Sequence, residues 1–209
     1  MSTTEQQHDS IQSLQMLVKY LIIASRNAPT AISDTKLYKL FYFIDFGHLA
    51  IQGNRITSFL YFKLPHGPVP DSLNFLLEIM ESDEMINKKL HQGSKGKWHT
   101  YTVSEARIDL TPHFSAVELQ TIEATTRALS GVGAADLSTI SHWQYSWITS
   151  ALNKPIDFAL AKDCDFPWLG HYGTDGDEDY NRETMRLRQQ FAKPGLETKL
   201  KQLKNLDFA

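Results

Sequence analysis

Residues 36–70 read KLYKLFYFIDFGHLAIQGNRITSFLYFKLPHGPVP, and this window decides the fold. Leu37, Leu40, Phe41, Ile44, His48 and Leu49 recur at helical spacing, which predicts a helix. Ser33 or Asp34 can accept the orphan N–H bonds of its first turn. Gly53 suits its end, because glycine enters the left-handed conformation at little cost. The helix is apolar over more than one face and is therefore expected at the centre of the molecule. From Ile56 to Leu64 the pattern becomes an alternation, with Ile56, Ser58, Leu60, Phe62 and Leu64 on one side and Thr57, Phe59, Tyr61 and Lys63 on the other. That predicts a strand covered on both faces. Pro65, Gly67, Pro68 and Pro70 then make a stiff, nonhelical connection, and a helical pattern resumes from Asp71 to about Glu81.

Working outward, a first helix is expected from about Ser10 to Ser25, carrying Ile11, Leu14, Leu17, Val18, Leu21 and Ile22 at helical spacing. Asn27-Ala28-Pro29 ends it. After Glu81, residues 84–90 read as a short amphipathic piece continuing the preceding helix, and His91 to Lys97 as a flexible turn. Trp98 to Val103 alternates and predicts a second strand, paired with Ile56–Leu64. Ser115 and Glu118 form a capping box opening a helix to about Leu129. Short helical stretches follow at 134–140, 141–152 and 155–162. The reading is α+β, mainly helical with a small antiparallel β-sheet.

The chain has 209 residues, 21 Lys plus Arg and 24 Asp plus Glu, for a net charge of −3. That balance argues against a strongly basic nucleic-acid binder and an acidic disordered chain. A single cysteine, Cys164, excludes an intramolecular disulfide and favours the cytoplasm. The opening MSTTEQQHDS lacks the cationic and apolar regions of a signal peptide. No apolar run reaches the roughly 20 residues of a membrane span, so no membrane partner is expected. The charge is an average over unlike parts. A near-neutral domain at 10–152 precedes a C-terminal extension, 153–209, with acids from Asp175 to Asp179 and a basic segment from Arg182 to Lys204.

Several constellations invite a chemical reading. Asp45 and His48 lie three apart and are neighbours on one helix face. A metal or catalytic role needs a further ligand such as His66, and none stands at a recognised spacing. The better reading is a buried polar pair that orients the loop after the strand by hydrogen bonds. A buried Asp45 needs a partner, with Lys39, His48 and Lys63 as candidates. Trp143 and Trp147 suit a core or a partner anchor. Asp175, Asp177 and Asp179 mimic the start of a calcium loop, but no glycine holds the sixth position and Arg186 replaces the bidentate glutamate. Cys164 has no base beside it and sits among acids. No catalytic, cofactor-binding or metal-binding residue is expected, and the protein is not expected to be an enzyme.

The 36–70 window resembles the SocA/Panacea family, an antitoxin-associated domain of bacteria and their phages. The resemblance rests on Lys36, Leu37, Lys39, Leu40 and Tyr42, then His48 and Leu49, then Gly53 and Ile56, then Gly67, Pro68, Val69 and Pro70. Leu137, Ser138, Ser141, His142 and Trp147 match a later pair of short helices. It covers roughly residues 11–150. It implies an interaction protein: an antitoxin that neutralises a cognate toxin, and in some members an adaptor handing the toxin to a protease. The partner-binding candidates are Asp45, His48, Lys63, His66, Gly67, Pro68, Val69, Trp143 and Trp147. Two rivals remain. A nucleic-acid-binding regulator would build a winged helix from residues 115–152, against which stand the net charge and the absence of Lys or Arg from 134–152. An enzyme would use Asp45, His48 and His66.

Overall fold

Helix α2 (Asp34–Gln52) is the axis of the molecule. Ser33 caps it, accepting from the Lys36 N–H at 3.4 Å, and Gly53 closes it in the left-handed conformation at φ 79°. Every residue from Lys39 to His48 is buried, which matches a helix apolar on all sides. The computed structural model describes residues 3–28, 31–94 and 96–173, with side chains from residue 11 onward. The acidic run and the basic segment fall outside the described residues.

Around α2 stand α1 (Thr3–Ala24), α3 (Leu73–Ser82), α4 (Ala116–Leu129), α5 (Ala134–His142) and α6 (Tyr145–Thr149). Helix α1 begins a turn or two before the expected Ser10. The capping box of α4 is present as read: Ser115 Oγ accepts from the Glu118 N–H, and Glu118 accepts from the Ser115 N–H. Two short ribbons complete the fold. Strand β1 (Tyr61–Leu64) pairs antiparallel with β2 (Gly67–Pro70), and β3 (Asn87–Gly93) with β4 (Gly96–Thr102). The fold is α+β and mainly helical, with two small antiparallel sheets where one was expected.

Three expectations about strands are corrected. Only Tyr61–Leu64 of the expected 56–64 strand is a strand, because residues 56 and 57 are wrapped around Asp45 instead. The proline-rich stretch after it is β2, which pairing rules explain. Pro68 faces Lys63 and Pro70 faces Tyr61. The backbone groups of Tyr61 and Lys63 point the other way, to the segment 153–156: Lys63 N–H donates to Lys154 O, Asn153 N–H to Lys63 O, and Ile156 N–H to Tyr61 O. Both prolines therefore stand where the ladder requires no N–H. Finally, β4 pairs with residues 87–93, read as part of a helix and a turn, and not with 56–64. Strand β3 is wet on both faces and carries no apolar alternation to betray it.

The segment after residue 152 belongs to the same core. Ile156, Ala161, Cys164, Phe166 and Trp168 are buried. Phe158 packs on Phe46 (centroids 5.3 Å apart), and Trp168 meets Phe43 edge to face at 5.4 Å. Trp168 Nε1 donates to Thr125 Oγ1 at 3.2 Å, so its polar edge is satisfied. Short 3-10 turns at Phe158–Asp163 and Pro167–Leu169 carry these side chains across α2 and α4.

Candidate functional site

Asp45 lies mid-helix on α2 and is fully buried. Its Oδ1 accepts from the Ile56 and Thr57 N–H groups at 3.2 and 2.8 Å. Its Oδ2 accepts from the Thr57 hydroxyl and, at 2.6 Å, from Tyr61 OH. Burial pushes its carboxyl upward, opposed by these hydrogen bonds and by the Arg55 charge. The carboxylate thus ties the loop after α2 to the start of β1. The candidate partners Lys39, His48 and Lys63 are not the ones used. His48 turns to α4, with Nδ1 2.9 Å from Thr121 Oγ1, and burial lowers its pKa. Asp45 and His48 therefore anchor two different elements to α2, and each is structural in its contacts.

The β1–β2 turn is braced from beneath. Gly67 sits at φ +99°, a conformation that L side chains rarely adopt. A Cβ there would strike Ser141 Oγ and come within 2.8 Å of Lys39 Cε. Lys39, itself fully buried, donates through Nζ to Pro68 O at 2.7 Å. Ser138 Oγ donates to His66 O at 2.6 Å. Gly67 and Pro68 face this interior, Val69 is half-buried, and Pro65 and His66 are exposed at the tip. The stiff loop expected from the prolines is thus a rigid knob whose exposed part is Pro65–His66.

Beside the knob, Lys63 Nζ lies 4.2 Å from the centroid of the Trp147 ring. The same ammonium donates to Ser150 O at 2.8 Å and Ile148 O at 3.3 Å. Trp147 in turn packs on His142, with centroids 4.2 Å apart. Trp143 is buried at the end of α5, so the two tryptophans do not share a helix. Burial, followed by the positive charges of Lys39, His66 and Lys63, pushes His142 down to about 4. Burial pushes Lys39 down to about 7 and Lys36, which donates to Ser130 O, to about 8. Basic groups from α2, β1 and the turn thus converge on His142 of α5.

A family model described as antitoxin SocA-like, Panacea domain, matches residues 37–148, more than half of the chain. The chain belongs to this family. No curated protein and no solved structure matches it. The Panacea match runs from α2 to α6 and takes in Asp45, the β1–β2 turn and its bracing serines. It ends before the 3-10 turns that finish the core. Two sets of contacts in this Panacea domain have no clear signal in sequence, although Ser138 and Ser141 themselves carry part of the resemblance. Thr57 and Tyr61 hold Asp45 from 12 and 16 residues away. Ser138 and Ser141 reach the turn from α5. Among the described residues, no group of three or more His, Cys, Asp or Glu side chains is placed to hold a metal ion. No described helix is long and apolar enough to cross a membrane.

Proposed function

We propose that this protein is an antitoxin that neutralises a cognate toxin by direct protein–protein binding, and that it is not itself an enzyme. The observation that carries the reading is the Panacea antitoxin match over residues 37–148. The architecture supports a steric mechanism. Asp45 and His48 are spent on internal hydrogen bonds, while the Pro65–His66 knob is exposed on a braced support. A surface held rigid before contact loses little freedom when it binds. The knob, with Lys63 and Trp147 beside it, is the proposed toxin-facing surface. Handover of the bound toxin to a protease is a further step that the same surface permits.

Co-expression with the product of the adjacent open reading frame tests the reading. The neighbour alone should arrest growth, and this protein should restore it and co-purify with it. A neighbour that is harmless alone, or toxic regardless of this protein, overturns it. Replacing His66 by Glu should weaken the rescue with the melting temperature unchanged.

A further inference from the structure

The β3–β4 ribbon stands apart from the rest of the chain in its charge. Residues 87–102 read NKKLHQGSKGKWHTYT, with four lysines, two histidines and no acid. This lies in a chain whose net charge is −3. Among the described residues, the ribbon is fastened at its base. Tyr101 is buried and its N–H donates to Ile32 O, while Tyr101 OH and the His99 N–H donate to Asp34. Lys88 pairs with Glu81 at 3.2 Å. Beyond that point Lys89 and Lys97 are exposed, with no ion-pair partner among the described residues.

The outer half also carries aromatic surface. His91 and Trp98 are cross-strand partners, and their rings stack at 5.4 Å and 12°. His91 Nε2 lies 2.8 Å from Thr100 Oγ1, which fixes the imidazole. Trp98 lies over Gly93, where a Cβ would meet the ring at 3.1 Å. The indole is thus held between His91 and Gly93, yet remains 42% exposed. A two-stranded ribbon in water is marginal by itself, so an exposed tryptophan on it is not explained by the core.

We propose that this ribbon is a binding surface for single-stranded nucleic acid. Lys89 and Lys97 would neutralise backbone phosphates, and the Trp98–His91 stack would receive a base. Lys89 shares the ribbon face of the His91–Trp98 pair, and Lys97 adjoins Trp98 from the other face. Cationic side chains beside a pre-positioned aromatic ring are the two components that sequence-tolerant strand binding requires. An acidic protein surface would use the lysines but would leave the stacked rings without a role. The surface is separate from the Pro65–His66 knob, so the proposal does not depend on toxin binding.

The test is fluorescence anisotropy of labelled oligo-dT and oligo-rU of about 20 nucleotides, with the full chain at low and at physiological salt. Both strands should bind at low salt, and affinity should fall with salt at a slope of about −0.7 per phosphate neutralised. A preference for one strand assigns the natural ligand as DNA or RNA. Binding should also quench tryptophan emission, and Trp98→Ala should remove that quench, since Trp143 and Trp168 are buried, Trp147 is half-buried and Trp98 is exposed. Trp98→Ala should weaken binding about 5-fold or more. The double variant Lys89→Glu with Lys97→Glu should weaken it about 10-fold or more and flatten the salt slope. Thermal melts establish that each variant is folded. No binding at low salt overturns the proposal, as does binding indifferent to both variants. A duplex binding more tightly than either strand overturns it too. So does polyglutamate binding as tightly as oligo-dT with Trp98→Ala without effect, which would instead mark an acidic protein partner.

Discussion

Two sets of lysines in this molecule meet opposite fates. Lys36 and Lys39 on α2 are fully buried, and each gives its ammonium to a backbone carbonyl, Ser130 O and Pro68 O. Lys89 and Lys97 on the β3–β4 ribbon are exposed and unpaired among the described residues. The same side chain is a brace in one place and a free charge in the other. What decides between them is the element beneath. A central helix surrounds the stem with apolar neighbours and leaves the head a carbonyl as its best partner. A two-stranded ribbon has no second layer to hide a stem. The buried polar groups of α2 are therefore architecture, and the exposed ones of the ribbon are surface available to a partner.

That contrast can be broken by experiment. The largest effect should come from Asp45→Ala, which strands the Thr57 and Tyr61 hydroxyls and two N–H groups. A loss of about 3–5 kcal/mol in urea denaturation is expected. A loss equal to that of a ribbon substitution would dissolve the distinction. Gly67→Ala comes next, at about 2–4 kcal/mol, because a Cβ is both strained at this φ and in collision with Ser141 and Lys39.

Lys39 sharpens the comparison through pH. Its folded pKa, about 7 against the ordinary 10.5, is lowered by burial. Between those values the unfolded chain holds more protons than the folded one, so stability rises with pH across that window. Below pH 7 the lysine is charged in both states and the folded protein bears the full cost of burying it. Stability from pH 7 to 10 should climb by up to a few kcal/mol, with a smaller contribution from Lys36. Lys39→Met should flatten the climb, measured as denaturation midpoints at successive pH values. Ser115→Ala should cost about 1 kcal/mol by removing the α4 cap. Smallest of all, Lys89→Ala on the ribbon should change stability by less than about 0.5 kcal/mol.

Sequence patterns carried the helices well, because their signals are local. Ser33, Gly53 and the Ser115–Glu118 box each act within four residues. Asp45 could be recognised as a buried carboxylate in need of partners, but not matched to them. Its donors are supplied by a loop whose path depends on where α2 ends. The β2 strand was hidden by Pro68 and Pro70, whose tolerance depends on the register against β1. Strand β3 lacks a signal for the opposite reason: with both faces wet it has no hydrophobic period and reads as a helix end and a turn, whereas the alternation of Trp98–Val103 marks β4. The Lys63–Trp147 contact joins residues more than 80 positions apart and had no signature at all.

The tie between β1 and residues 153–156 has a consequence for how such a domain can be shared among proteins. The region of family similarity stops at residue 148, yet β1 takes backbone hydrogen bonds from beyond it, and Phe166 and Trp168 close the far side of α2 and α4. Similarity and foldability therefore have different borders. A chimera that exchanges the tail at 148 would expose Phe43 and Phe46 to water, while one joined after Gly173 would keep the described core whole. Any exchange of this domain must carry at least the residues through Trp168, some twenty positions past where sequence kinship ends.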